Sequence, residues 1–240
     1  MARPFDTWTV LPHGRLSALD ENLLTVVGEL PLPIGEFPRR MTVVKLNDGR
    51  LVVFSAVALD EPEMHALERF GTPSFLVIPS AIHRMDAKIW KDRYPQMKVI
   101  APDGARTKVE QIVPVDATHV DFGDASVRYV TVPGTAGHEA ALIVETPKGT
   151  TLVLNDLVWN VHDRPGFSGW LFRKLHFTGP KPQITRVVRL GTIKDKGAVR
   201  AQLNAWARLR RLNRIVVSHG DLVERNPAGV LRELAQSLAA

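Results

Sequence analysis

Short apolar runs that stop abruptly at polar residues constrain this chain more than any other feature. Phe75-Leu76-Val77-Ile78 is followed by Pro79-Ser80 and then by His83, Arg84 and Asp86. An unbroken apolar run of this length matches a strand buried on both faces, which requires a covering layer on each side. Thr151 to Leu154 repeats the pattern and ends in Asn155 and Asp156. Ile215 to Val217 repeats it again and ends in Ser218, His219 and Gly220. Ligands of open α/β sheets gather beyond the carboxyl ends of strands. Three strand ends carrying His or Asp therefore make one coherent candidate site.

A chain of 240 residues with 45% hydrophobic content can bury a large core. The expectation is a single domain spanning 1–240, made of two β-rich halves at about 1–125 and 126–240. With no cysteine, a transition-metal site must be built from imidazole and carboxylate. No apolar run approaches the roughly 18 residues of a spanning helix, and Met1 to Val10 lacks the apolar core of a secretory signal. A soluble cytoplasmic protein without a membrane partner is expected. The net charge of +6 raises the question of nucleic acid. Its Lys and Arg residues are scattered, and the densest group (Arg208, Arg210, Arg211, Arg214) ends a helix, where cations suit the macrodipole. No nucleic-acid partner is expected. A small-molecule substrate, anionic ones included, fits the charge, and a homo-oligomer is compatible with the sequence.

Taken in order, residues 5–57 read mostly as strands, with Leu24–Val27 and Met41–Leu46 β-rich and Asn47-Asp48-Gly49 as a hairpin turn. Asp60 and Glu63 form a capping box around Pro62, so a helix runs through Met64, Leu67 and Phe70 to Gly71. A strand at Lys98–Ala101 and a short helix at Ala105–Gln111 follow. Strands are read at Val127–Val132, Ala141–Glu145 and Thr151–Leu154. Val199, Leu203, Trp206 and Leu209 mark an amphipathic helix over Lys196–Arg210. A final helix is capped by Asn226 with Pro227 at its first position. Residues 161–182 read as irregular, and their aromatic residues fit either a lid or a packed helix. As a lid, Trp170 would meet the substrate, and Arg173 and Lys174 suit an anionic or amphipathic ligand. This order describes β-rich halves with helices outside, an αββα sandwich of the α/β class.

At these residues the chain resembles the metallo-β-lactamase superfamily. "SHG" after a strand is similar to the family's last metal-binding His, and "TLVLNDLVWN" to its strand ending in a bridging Asp. "TVPGTAGHEAALIV" resembles the segment that usually reads Pro-Gly-His-Thr-Pro-Gly. The family's H-x-H-x-D-H signature falls near Ile82-His83-Arg84-Met85-Asp86-Ala87. With Asp86 in the Asp place, Ile82, Arg84 and Ala87 replace the three histidines. With His83 in the second His place, Ala81, Met85 and Asp86 replace the first His, the Asp and the last His. Neither register keeps more than two ligands. Thr135 stands where a further His is expected, with His138 three residues on.

The resemblance implies a metal-dependent hydrolase acting on a small ester, phosphoester or amide. One divalent ion would be held by His83 or Asp86 with Asp156 and His219, helped by His138. Zinc is the first choice, with manganese or iron as oxygen-richer alternatives. Asp86 and Asp156 are the candidate catalytic residues, and Arg84 is a candidate clamp for an anionic substrate. The rival reading is a degenerate member that holds no ion and binds a small ligand or a protein partner in the remnant pocket. Each residue also has a plain structural reading: His83 as a helix cap, Asp86 as a first-turn carboxylate, His138 and Glu139 as loop residues.

Overall fold

The computed structural model describes residues 3–32, 35–163 and 165–239. Six strands form the first sheet in chain order: β1 (Ser17–Asp20), β2 (Leu23–Leu32), β3 (Gly35–Lys45), β4 (Arg50–Phe54), β5 (Thr72–Val77) and β6 (Lys98–Ile100). The second sheet is built from β7 (Val127–Thr131), β8 (Ala140–Thr146), β9 (Gly149–Leu154) and β10 (Leu212–Val217), in the order β10-β9-β8-β7. Three helices, α1 (Glu61–Phe70), α2 (Ala87–Arg93) and α3 (Asp103–Val109), cover the outer face of the first sheet. A fourth, α4 (Gly166–Lys174), packs Phe172 on Phe37 at the start of β3. The last three, α5 (Arg186–Gly191), α6 (Lys196–Trp206) and α7 (Pro227–Ser237), cover the second sheet.

Side-chain alternation explains the layering. Along β4, Val52 and Phe54 face the other sheet, while Leu51 and Val53 face the helices. Along β9, Val153 faces the first sheet, and Leu152 and Leu154 face helices of the second. β4 and β9 are thus apolar on both sides because each lies between the other sheet and a layer of helices. The expected αββα sandwich is the observed architecture.

Pairing direction sets where the strands deliver their ends. β4 runs parallel to β5, and β10 runs parallel to β9. The carboxyl ends of each pair therefore open on a common edge. A buried arginine ties the two sheets together there. Arg40 on β3 donates to Val217 O at 3.2 Å and to Gly220 O at 2.8 Å.

Several local expectations are corrected. The first hairpin is longer than its apolar signal, because Pro31 and Pro38 interrupt the pattern without ending the pairing of β2 with β3. The 161–182 stretch contains α4, although Arg164 lies outside the described residues. Helix α5 was not legible; Thr185 caps it by accepting the Val188 N–H. Helix α6 ends at Trp206, short of Arg210.

Candidate metal centre

Four strand ends meet at one edge. Ser55 follows β4, His83 lies in the turn between β5 and α2, Asp156 follows β9, and His219 follows β10. Ser55 has a φ of 56°, uncommon for a residue other than glycine. The left-handed residue is held from two sides: its N–H donates to Val77 O at 3.1 Å and its hydroxyl meets His83 Nδ1 at 2.7 Å. Gly220, after His219, has a φ of +98°, and a Cβ there would lie 2.0 Å from Asn160 O. Only glycine lets the Trp159–Asn160 segment approach this closely. The segment brings the Trp159 ring to 4.6 Å from the His219 ring, centre to centre.

Three side-chain atoms converge. His83 Nε2 and His219 Nε2 each lie 3.1 Å from Asp156 Oδ1, and 3.2 Å from each other. His219 Nδ1 lies 2.8 Å from Pro38 O. A carbonyl can only accept, so Nδ1 carries the proton and the lone pair of neutral His219 is on Nε2, facing Asp156. The other oxygen, Asp156 Oδ2, accepts from Ser80 Oγ and Asn155 Nδ2, both at 3.0 Å. Burial opposes ionisation of Asp156. The His83 and His219 rings outweigh it and hold the carboxyl well below the usual carboxylate range.

This donor set fits a divalent ion. Ligand atoms about 2.0–2.1 Å from a tetrahedral zinc stand about 3.3–3.4 Å apart, close to the size of the observed triangle. The outer nitrogens of both histidines already have partners, the arrangement that orients metal-ligating imidazoles. Among the described residues this is the single group of three or more His, Asp or Glu side chains with such spacing.

Other site candidates lie elsewhere. His138 precedes β8 and is not brought into the group. Thr135, at the position of the family's further His, is buried and donates its hydroxyl to Val132 O. Asp86 also stands outside the group. Its carboxylate pairs with the Arg39 guanidinium and accepts the Ala58 N–H at 3.0 Å. Burial pushes the Asp86 carboxyl up, opposed by Arg39. The three donors on its two oxygens match the ionised form. Asp86 occupies the N-cap position of α2 but makes no side-chain cap bond there. Its partner, not the helix, accounts for it.

The substrate candidates are corrected as well. Arg84 turns to Lys108 O and to Gln111 Oε1, away from the site. Trp170 is 46% exposed and stacks on Phe167. A cavity of about 400 Å³ opens beside the three ligand atoms, lined by His83, His219 and Ser55 and by Phe37, Trp159 and Phe177. Neither Arg84 nor Trp170 lines it. The sequence pattern gave no sign of Ser55, Arg39 or Trp159, and it offered Glu139 as a loop residue. Glu139 is fully buried and accepts the Leu157 N–H at 3.0 Å, bracing the turn after Asp156. Burial and the nearby Asp156 charge raise its carboxyl well above the ordinary range. The one available signal was its place just before an apolar strand.

No family model matches the sequence, and no curated protein matches it. Solved structures do match in shape. The metallo-β-lactamase FIM-1 from Pseudomonas aeruginosa, in its mono-zinc form, is 12% identical, with a TM-score of 0.63 over 95% of this chain and 96% of that one. The DIM-1 metallo-β-lactamase is also 12% identical, with a TM-score of 0.63 over 97% of this chain and all of that one (100%). A metallo-β-lactamase from Hirschia baltica is 12% identical, with a TM-score of 0.57 over 93% and 98%. The fold is that of the metallo-β-lactamases. At these identities the likeness is one of fold, and the chemistry must be argued from the residues. Among the described residues no helix is long and apolar enough to cross a membrane.

Proposed function

We propose that the chain is a metal-dependent hydrolase that uses one ion, held by His83, Asp156 and His219. The observation that carries this reading is the convergence of three ligand atoms at 3.1–3.2 Å with the outer nitrogens already partnered. His83, Asp156 and His219 would hold zinc with one position left open, and the ion would supply a lowered pKa for a water and polarisation of a carbonyl oxygen. Ser80 and Asn155 hold Asp156 Oδ2 and leave Oδ1 to the ion. Ser55 and Pro38 fix the two rings. The aromatic wall of the cavity excludes water and positions a substrate. Asp86 is assigned no part in holding the ion, because its carboxylate is paired with Arg39 and accepts the Ala58 N–H.

Elemental analysis of protein purified without chelator tests the reading, with zinc, manganese and iron measured together. One ion per chain is expected, with zinc the first choice because two of the three donors are imidazoles. Two ions per chain would mean that further ligands are in use. Protein that takes up none after dialysis against zinc would leave a ligand-binding protein without hydrolytic chemistry.

A further inference from the structure

The proposed hydrolase leaves its substrate open, and the cavity carries information on that point. Its lining is mostly apolar: Leu30, Ala56, Ile82 and Met85 join the three aromatic residues. Arg39 is the single Lys or Arg among the lining residues. Its guanidinium faces Asp86, which also lines the cavity, and both side chains are at least nine-tenths buried. The two formal charges cancel inside the wall. At the polar end, any charge on His83 or His219 is answered by Asp156, 3.1 Å from each ring. Away from the His83–Asp156–His219 end, a charged group entering this cavity would lose its water and meet no free counter-charge among the lining residues, which costs far more than burying an apolar group.

We propose that the cavity takes an uncharged ligand with an aromatic or aliphatic body and one carbonyl end turned toward His83 and His219. The preferred substrates are then esters or amides of acids with an uncharged aromatic or aliphatic body. At about 30 Å³ for a water-sized group, the volume of about 400 Å³ holds roughly a dozen heavy atoms. This inference rests on the hydrolase reading for the word substrate, but not for the class of ligand.

A matched pair of probes tests it. 4-Phenylbutanamide and 4-phenylbutanoate share shape and size and differ in charge. Their binding is measured by calorimetry on chelator-treated protein, so that the carboxylate cannot gain affinity from an ion. At about pH 8, where the carboxylic acid probe is fully ionised, the amide should bind at least about tenfold tighter than the acid. Ile82 is 54% exposed, so Ile82→Ser tests the cavity without risk to the core. It should weaken the amide about threefold through lost apolar contact. Equal or tighter binding of the carboxylate overturns the proposal. So does no binding of either probe at millimolar concentration, or amide affinity unchanged by Ile82→Ser. Failure of the hydrolase reading looks different: the amide binds as expected, but the protein takes up no zinc and cleaves no 4-nitrophenyl butyrate.

Discussion

Two buried polar clusters border the same cavity, and they differ in what they leave unsatisfied. In the Arg39–Asp86 pair, donors meet acceptors and the charges cancel. In the His83–Asp156–His219 group, the proton of neutral His219 sits on Nδ1 toward Pro38 O, so its Nε2 turns a lone pair to the Asp156 carboxylate, while His83 Nδ1 faces a hydroxyl that can donate or accept. Both clusters are about equally buried, with side-chain exposures of 9% and 1% for Arg39 and Asp86, and 9% and 5% for His219 and Asp156. Burial therefore does not separate a charge-paired cluster from a candidate metal centre. The balance of donors against acceptors does, because converging acceptors require a cation or a proton to be stable.

The largest effect should come from Asp156→Asn, which breaks the acceptor side of this contrast. Metal uptake should fall from about one ion per chain to none by elemental analysis, since an amide is a far poorer ligand than a carboxylate. Unchanged metal content would move the ion away from this group. Next comes the self-satisfied pair. Arg39→Met leaves Asp86 buried and unpaired and should cost roughly 3–5 kcal/mol in urea unfolding. The double variant Arg39→Met with Asp86→Leu should recover most of that loss. Metal stoichiometry should survive in both, and its loss would show that the two clusters are coupled.

A smaller effect is expected at Ser55, which touches His83 Nδ1 at 2.7 Å. Ser55→Ala removes the Nδ1 partner of His83 and, if His83 holds the proposed ion, should weaken zinc binding by about 10–100-fold in a competition titration. An unchanged affinity would make the left-handed serine a matter of backbone geometry alone. The smallest effect concerns a carboxylate far from the cavity. Asp124 accepts from Asn47 N at 2.7 Å and Ser126 N at 2.9 Å, joining the turn after β3 to the start of β7. Burial opposes its ionisation, but the Ser126 and Asn47 bonds outweigh it and lower its pKa. A folded pKa below the unfolded one contributes stability above the unfolded value, near 3.9, and that stability is lost as pH falls through the folded pKa. Asp124→Asn should cost about 1 kcal/mol at neutral pH. It should also flatten the acid limb of the stability profile, with metal uptake untouched.

The sequence by itself determined the layers and the strand ends. Runs such as Phe75–Ile78 and Leu152–Leu154 are apolar at every position, so they require cover on both faces whatever their partners. Asp60 and Asn226 announce their helices because capping is local chemistry, completed within three residues. For the same reason His83, Asp156 and His219 were legible as polar residues at strand ends. Tertiary structure alone decided which of these residues meet. Parallel pairing of β4 with β5 and of β9 with β10 placed Ser55, His83, Asp156 and His219 on one edge. Arg39, 47 residues before Asp86, took the carboxylate that had looked like a ligand. Arg84 and Trp170 lost their place at the cavity to Trp159 and Phe177. Local patterns report the period and the caps of an element. The partner of a buried charge is set by packing between strands and turns distant in sequence.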